Sequence, residues 1–255
     1  MFKKIDTNGT SWILREGVSP AILDNLLQKL HNSENYPELT LLKDNNVRSA
    51  FLLRESPHPA SEVFIKRYKC RGWKDIVKHM VVPSKALSEW RALRKIEARK
   101  LPCPTPLAFT EKRSSGMLTD CCLIAESISS AIPLNEYVHT IHGQVRKKTE
   151  LILSLASLVR ELHQKGVFYR DLHAGNIMVR DKSYGPPELF LIDLHRASFF
   201  RHIFSWMKIK DLAQLCNSLP STESHRLMFM REYCKAEGFS KESFTGFARK
   251  IYKKR

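Results

Sequence analysis

Apolar and polar residues follow two different periods along this chain, and the change comes near residue 126. In the first half, residues 47–54 (VRSAFLLR) and 62–69 (EVFIKRYK) are short strand-like runs separated by a Ser/Pro/His turn, which predicts a β-hairpin. Alternation puts Val63 and Ile65 on one strand face and Phe64 with Lys66 on the other. Residues 107–110 and 121–126 predict two further strands around a charged turn at 111–116. Two helical patterns interrupt these strands. Residues 18–32 carry apolar positions 22, 23, 26, 27 and 30 behind Ser19 as N-cap and Pro20 in the first turn. Residues 84–101 carry apolar positions 86, 87, 90, 93 and 96, and Pro102, Pro104 and Pro106 end the pattern. Beyond the polar connector 127–133 the pattern is mainly helical. Residues 148–165 place apolar side chains at 151, 152, 155, 158, 159 and 162 and stop at Gly166, and a hairpin through 182–187 precedes helices to the C-terminus.

Strands with one main helix first and helices afterwards predict an α+β fold with two lobes in a single domain. The expected division is a small, mainly β N-lobe (1–126), a hinge (127–133) and a larger helical C-lobe (134–255). A chain of 255 residues with 43% hydrophobic content can bury such a core. Charge adds a second constraint. Lys and Arg exceed Asp and Glu by 42 − 26 = 16, which is either a generally basic, soluble surface or the mark of an anionic partner. There is no aromatic-interleaved RNA-binding signature and no zinc-finger spacing, so no nucleic acid is expected. The six cysteines form no C-x-x-C pair and are read as reduced thiols. The N-terminus has no apolar secretory stretch, and no run approaches about 18 apolar residues. The expectation is a cytosolic protein, or one that lies on a membrane without crossing it.

The chemistry concentrates at residues 168–180, Phe-Tyr-Arg-Asp-Leu-His-Ala-Gly-Asn-Ile-Met-Val-Arg, and at Leu189-Phe-Leu-Ile-Asp193. An Asp, an Asn five positions on, and an Asp closing an apolar run form the layout of a protein-kinase-like phosphotransferase. Asp171 is the expected acceptor of the attacking hydroxyl's proton, and Asn176 and Asp193 the expected magnesium ligands. Tyr169 stands where the H-R-D motif has His, and Leu194-His195 where protein kinases have Phe-Gly, so an activation-loop switch is not expected. His173 is either an extra contact to substrate or phosphate, or a side chain that orients the loop. Lys66 is the candidate cation for the ATP phosphates, with Arg67 and Lys69 as the nearest alternatives. A lysine held in a cleft keeps its charge only beside a carboxylate. Glu89, on the helix that follows, is preferred for that task over Glu97, which sits nearer the prolines. No G-x-G-x-x-G precedes Lys66. Either Asn45 and Asn46 substitute for it, since Asn tolerates the left-handed backbone that a tight phosphate-covering turn uses, or phosphate binding is weak. Glu126, where the strands meet the connector, is placed with the nucleotide.

Several segments then resemble the lipopolysaccharide kinase (Kdo/WaaP) family, whose fold is protein-kinase-like. They are Val63-Phe-Ile-Lys-Arg-Tyr68, Ala86-Leu-Ser-Glu-Trp-Arg-Ala-Leu-Arg94, Pro102-Cys-Pro-Thr-Pro-Leu-Ala108, the run 169–176, Ile192-Asp-Leu-His-Arg-Ala197 and Lys210-Asp-Leu-Ala-Gln-Leu215. The resemblance covers about residues 45–235. It implies ATP and Mg2+ as reactant and cofactor, and a heptose or Kdo hydroxyl of the lipid A–core glycolipid as acceptor. It also implies work on the cytoplasmic face of a Gram-negative inner membrane, whose anionic surface would attract the basic excess. Basic clusters beside Trp73, or beside Phe199, Phe200, Phe204 and Trp206, are the implied membrane-facing patches. The alternative for the second group is the inner face of an amphipathic helix in the larger lobe. Asp171-Leu-His-Ala-Gly-Asn176 also resembles the loop of aminoglycoside and choline phosphotransferases, so a soluble acceptor is the runner-up, and a pseudokinase acting only as a binding module is the other alternative.

Overall fold

The computed structural model describes residues 1–7, 10–23, 26–54, 62–69, 82–115, 117–235, 246, 249 and 251. It divides into two compact units. One contains Met1–Lys95 and Pro104–Ser127, the other Ile96–Cys103 and Ile128–Arg255.

The first unit is built on seven antiparallel strands, β1 (Phe2–Thr7), β2 (Thr10–Arg15), β3 (Leu39–Asp44), β4 (Arg48–Leu53), β5 (Val63–Tyr68), β6 (Pro106–Ser114) and β7 (Met117–Glu126), in the order β1-β2-β6-β7-β5-β4-β3. The β4–β5 hairpin has the expected register, with Leu53 opposite Val63 and Ala50 opposite Lys66. The basic stretch 71–79 and Trp73 lie outside the described residues. β6 and β7 are longer than the apolar pattern predicts. Glu111–Ser114 was expected in a charged turn, but the pairs Glu111↔Cys121 and Ser114↔Met117 carry the strand through it. Cross-strand hydrogen bonding is indifferent to polarity where one sheet face meets water. β1 and β2 were not predicted, because their alternation is broken by Lys, Asp and Thr.

One face of this sheet packs Trp12, Leu14, Phe51, Val63, Ile65 and Ile124 against the segment that carries Ile22, Leu23, Leu26 and Leu30. That segment is a 3-10 turn (Pro20–Leu23) and a short helix α1 (Leu26–His31), where continuous periodicity predicted one helix. On the other face Trp90 of α2 (Lys85–Ala98) stacks on Phe109, and Phe2 meets Trp90 edge-on. Ser84 starts α2, its Oγ accepting the Leu87 N–H at 3.0 Å. The helix ends at Ala98, before the prolines, and its last turn belongs to the second unit.

The second unit has two small antiparallel sheets. β8 (Ala131–Pro133), β10 (Ile177–Arg180) and β11 (Glu188–Leu191) run in the order β11-β10-β8, while β9 (Val167–Phe168) pairs with β12 (Ser198–Phe199). Helices α3 (Leu134–Thr140), α4 (Val145–Gln164), α5 (Ser205–Ser218) and α6 (Glu223–Lys235) supply the rest of the described core, which makes six α-helices among the described residues. The predicted stripe on α4 is buried at Leu151, Ile152, Leu155, Leu158, Val159 and Leu162. Gly166 ends α4 with φ +73, and a Cβ there would lie 2.0 Å from the Phe200 carbonyl oxygen. That close approach lets Phe200 N–H donate to Gly166 O at 2.8 Å, which sets β12 against β9.

Candidate active site

Each unit holds one part of the expected chemistry. In the first, strand alternation turns Lys66 to the face covered by α2, where it is 7% exposed. Its Nζ donates to Glu89 Oε1 at 2.5 Å, and the Tyr68 hydroxyl donates to Oε2. Both carboxylate oxygens are thus engaged in a place where Glu89 itself is 2% exposed. A buried ion pair survives only when its remaining polar atoms are hydrogen-bonded, and Tyr68 meets that need. The Lys66 ammonium also lies 5.8 Å from the Phe64 ring centroid, the same-face neighbour that alternation predicts.

The alternatives to Lys66 are engaged elsewhere. Arg67 points to the other face, its Nε 3.0 Å from Asp120 Oδ1 and its Nη2 against the His31 ring. Lys69 Nζ donates to Asp44 Oδ1 at 2.6 Å, and that bond, with a second from Ser49, holds the Asp44 carboxyl below the usual carboxylate range. Glu97 lies on the α2 turn that belongs to the second unit, so within the first unit the carboxylate on Lys66 is Glu89.

The β3–β4 turn is made differently from the expectation. Neither Asn45 nor Asn46 has a positive φ. Asn45 Oδ1 instead accepts the N–H groups of Val47 and Arg48, both at 2.9 Å, so the side chain closes the turn without a left-handed residue. Glu126 ends β7 opposite Val63, with its N–H donated to Thr105 O at 2.9 Å.

In the second unit, β9 leads into a segment held from several sides. The backbone N–H groups of Tyr169 and Arg170 donate to Asp211 Oδ2 and Oδ1 at 2.8 and 2.9 Å, and Asp211 on α5 is fully buried. Arg170 has φ +68, a conformation that costs a non-glycine residue about 1–2 kcal/mol. The two carboxylate bonds hold it there, and Asp171 comes next. Asn176 Nδ2 donates to the Asp171 carbonyl at 2.9 Å, so the two residues are fixed to each other. His173 Nδ1 accepts the Gly175 N–H at 3.2 Å, a bond within the loop. Tyr169 is buried and its hydroxyl reaches the carbonyl oxygens of Asn176 and Ile192, which fits the space of the expected His with a longer polar reach. Ile192 N–H donates to Asn176 O at 3.0 Å, placing Asp193 one residue beyond that bond. Asp193 is itself left-handed (φ 59, ψ 51), and its Oδ1 lies 2.7 Å from His195 Nδ1. Arg196 Nη1 stands 3.6 Å from Asp171 Oδ2. Two strained non-glycine residues thus flank the segment, a common feature of functional sites.

Asp211 was not among the expected site residues. Its signal was present: an acidic residue inside the buried stripe Met207, Ile209, Leu212 and Leu215 of α5 needs donors inside the protein. Two further groups continue from it. His163 Nε2 lies 3.5 Å from Asp211 Oδ2, and His163 Nδ1 is 2.8 Å from the Tyr233 hydroxyl.

The fold matches a solved structure described as WaaP in complex with acyl carrier protein. The alignment covers 95% of this chain and 98% of that one, with a TM-score of 0.62 and 21% identity. The class is therefore the protein-kinase-like fold. Residues 43–233 match the profile of the lipopolysaccharide kinase (Kdo/WaaP) family, and the chain belongs to that family of kinases. Among curated relatives, the lipopolysaccharide core heptose(I) kinase WaaP of Pseudomonas aeruginosa is 26% identical over 183 residues, 67% of this chain and 68% of the relative. WaaP of Escherichia coli is 26% identical over 162 residues, 60% of this chain and 61% of that protein. The 3-deoxy-D-manno-octulosonic acid kinase of Xanthomonas campestris is 27% identical over 143 residues, 56% of this chain and 53% of that protein.

Proposed function

We propose that this chain transfers the γ-phosphoryl group of ATP to a hydroxyl of a heptose or Kdo residue in the lipopolysaccharide inner core. The observation that carries the reading is the catalytic segment. Asp171 and Asn176 are tied together, Asp193 is held one residue beyond their strand pairing, and Asp211 pins the entry to the segment. In this reading the Asp171 carboxylate accepts the proton of the attacking hydroxyl as its oxygen bonds to phosphorus. Lys66, oriented by its ion pair with Glu89, binds the nucleotide phosphates. Asn45, Asn46 and Glu126 are proposed as further nucleotide contacts.

The donors at Asn176 and Asp193 are an amide oxygen and a carboxylate, which suits a hard cation such as Mg2+. Among the described residues no cluster of three or more His, Cys, Asp or Glu side chains could hold a metal, so the phosphates would complete the coordination. When bound, the ion would offset phosphate charge. The acceptor is part of an anionic glycolipid, so the reading includes peripheral work on the cytoplasmic face of the inner membrane. The net charge of +16 supports this, and among the described residues no helix is long and apolar enough to cross a membrane.

The test uses the purified protein with radiolabelled ATP, Mg2+ and core glycolipid from a strain lacking core phosphate. Phosphate should appear on heptose or Kdo by mass spectrometry, and Asp171→Ala should lower the rate by roughly 10²–10⁴-fold. A fully active Asp171→Ala variant would overturn the mechanism. Product phosphate on neither sugar would overturn the acceptor.

A further inference from the structure

We propose that residues 201–206, with Lys210 and Arg170 beside them, form a docking surface for an anionic lipid bilayer that presents the acceptor to the catalytic segment. The identity of the acceptor rests on the reading above; the docking surface rests on the following geometry. Phe204 is 64% exposed and Trp206 54% exposed, on either side of exposed Ser205, and Arg201 and His202 just before them are exposed too. The neighbouring aromatics behave differently, since Phe199 and Phe200 are half-buried. Nor are Phe204 and Trp206 surplus core residues. The inner face of α5 is already filled by Met207, Ile209, Leu212, Leu215 and Cys216, all buried. Two large aromatics left in water beside cations mark an interaction surface.

The surface borders the chemistry. Trp206 meets the buried Phe168 ring edge-on at 5.5 Å, and the Arg170 and Lys210 cations lie 5.5 and 5.8 Å from that same ring. Arg170 precedes Asp171 in the chain, and Arg196 lies against the Asp171 carboxylate. Positive charge therefore continues from the aromatic tips to the proposed base. A lipid surface fits better than a folded acidic partner. Indole and phenyl rings settle at headgroup depth, with Arg and Lys reaching out to phosphates at the same level.

The full chain is tested by co-sedimentation with vesicles of phosphatidylcholine alone and of phosphatidylcholine with phosphatidylglycerol. Binding should require the anionic lipid. Phe204→Ala and Arg201→Glu should each weaken it on the order of fivefold or more, with unchanged thermal midpoints. In a Trp73→Phe background brominated lipids should quench Trp206, and adding Trp206→Phe should remove that quenching, since Trp12 and Trp90 are buried. Equal binding to neutral vesicles, or parental binding by both variants, overturns the proposal. So does a loss confined to binding of an acidic protein such as acyl carrier protein. Parent protein that phosphorylates core glycolipid in detergent yet ignores vesicles would defeat the docking surface alone. Parent protein that docks through Phe204 yet phosphorylates no core sugar would defeat the assigned acceptor alone.

Discussion

Asp211→Asn isolates the positioning of the proposed catalytic segment from its chemistry. The substitution keeps the side-chain volume but leaves one oxygen where two now accept backbone N–H groups at 2.8 and 2.9 Å. The new amide N–H2 must face either Tyr169 N–H or Arg170 N–H, donor against donor, in a fully buried site. A charge-assisted hydrogen bond is lost and a buried donor is orphaned, which together cost about 2–4 kcal/mol. For a chain of this size that lowers the thermal midpoint on the order of 5–15 °C. The left-handed Arg170 loses its restraint as well, and it immediately precedes Asp171. A displacement of ~1 Å at a reacting group costs about 10²-fold in rate. The expected outcome is a kcat lowered by roughly that factor with the KM for ATP nearly unchanged, because the Lys66–Glu89 pair is not touched. Steady-state kinetics with both substrates, calorimetry, and hydrogen exchange at Tyr169 and Arg170 measure each part. A variant with kcat within twofold of the parent and fully protected amides would refute the positioning role.

Glu89→Gln removes the charge that holds Lys66 in a nearly buried place; breaking such a pair costs about 3–5 kcal/mol, so ATP binding measured by titration calorimetry should weaken at least tenfold together with a lower midpoint. Parental nucleotide affinity would rule out Lys66 as the phosphate-binding cation. Gly166→Ala should lower the midpoint well beyond Gly143→Ala: both positions have positive φ, yet only at 166 would a Cβ meet backbone, 2.0 Å from Phe200 O. Equal shifts would show that the β9–β12 approach is not tight. Asp181 accepts from Lys147 at 2.6 Å and from Tyr137, and the Lys147 bond, the largest cause, holds its carboxyl below the usual range. A depressed carboxyl stabilises the fold above its unfolded pKa of about 3.9, and the gain is lost as pH falls through the lower folded value. Asp181→Asn should therefore be less stable than the parent at pH 7, with the gap closing at acid pH; a gap that stays constant with pH would contradict the ion pairing.

Much of the site was legible because its residues are local in sequence. Asp171 and Asn176 are five positions apart, and the bond between them needs only one turn of loop. Lys66 and Glu89 were also within reach of pattern reasoning, since strand parity picked the face of Lys66 and Glu89 lies inside the following helix, farther than Glu97 from the prolines that end it. Parity likewise separates Lys66 from Arg67, although only the structure supplies the Asp120 and Asp44 partners that engage the alternatives.

By itself the sequence determined the strand and helix periods, the change of character near residue 126, the spacing of the proposed catalytic groups and the basic excess. Tertiary structure decided what depends on distant chain. Thr10–Arg15 joined the sheet because β6 offered it a hydrogen-bonding edge, which no local period records. Asp211 came to the proposed catalytic segment from 41 residues away, a contact that neither its charge in an apolar stripe nor its place in the run 210–215 records. Phe199 and Phe200 were drawn inward while Phe204 and Trp206 stayed in water. Composition cannot separate these four rings; the packing of α5 and the close pass of Phe200 over Gly166 can, because burial is settled by which neighbours the fold brings near.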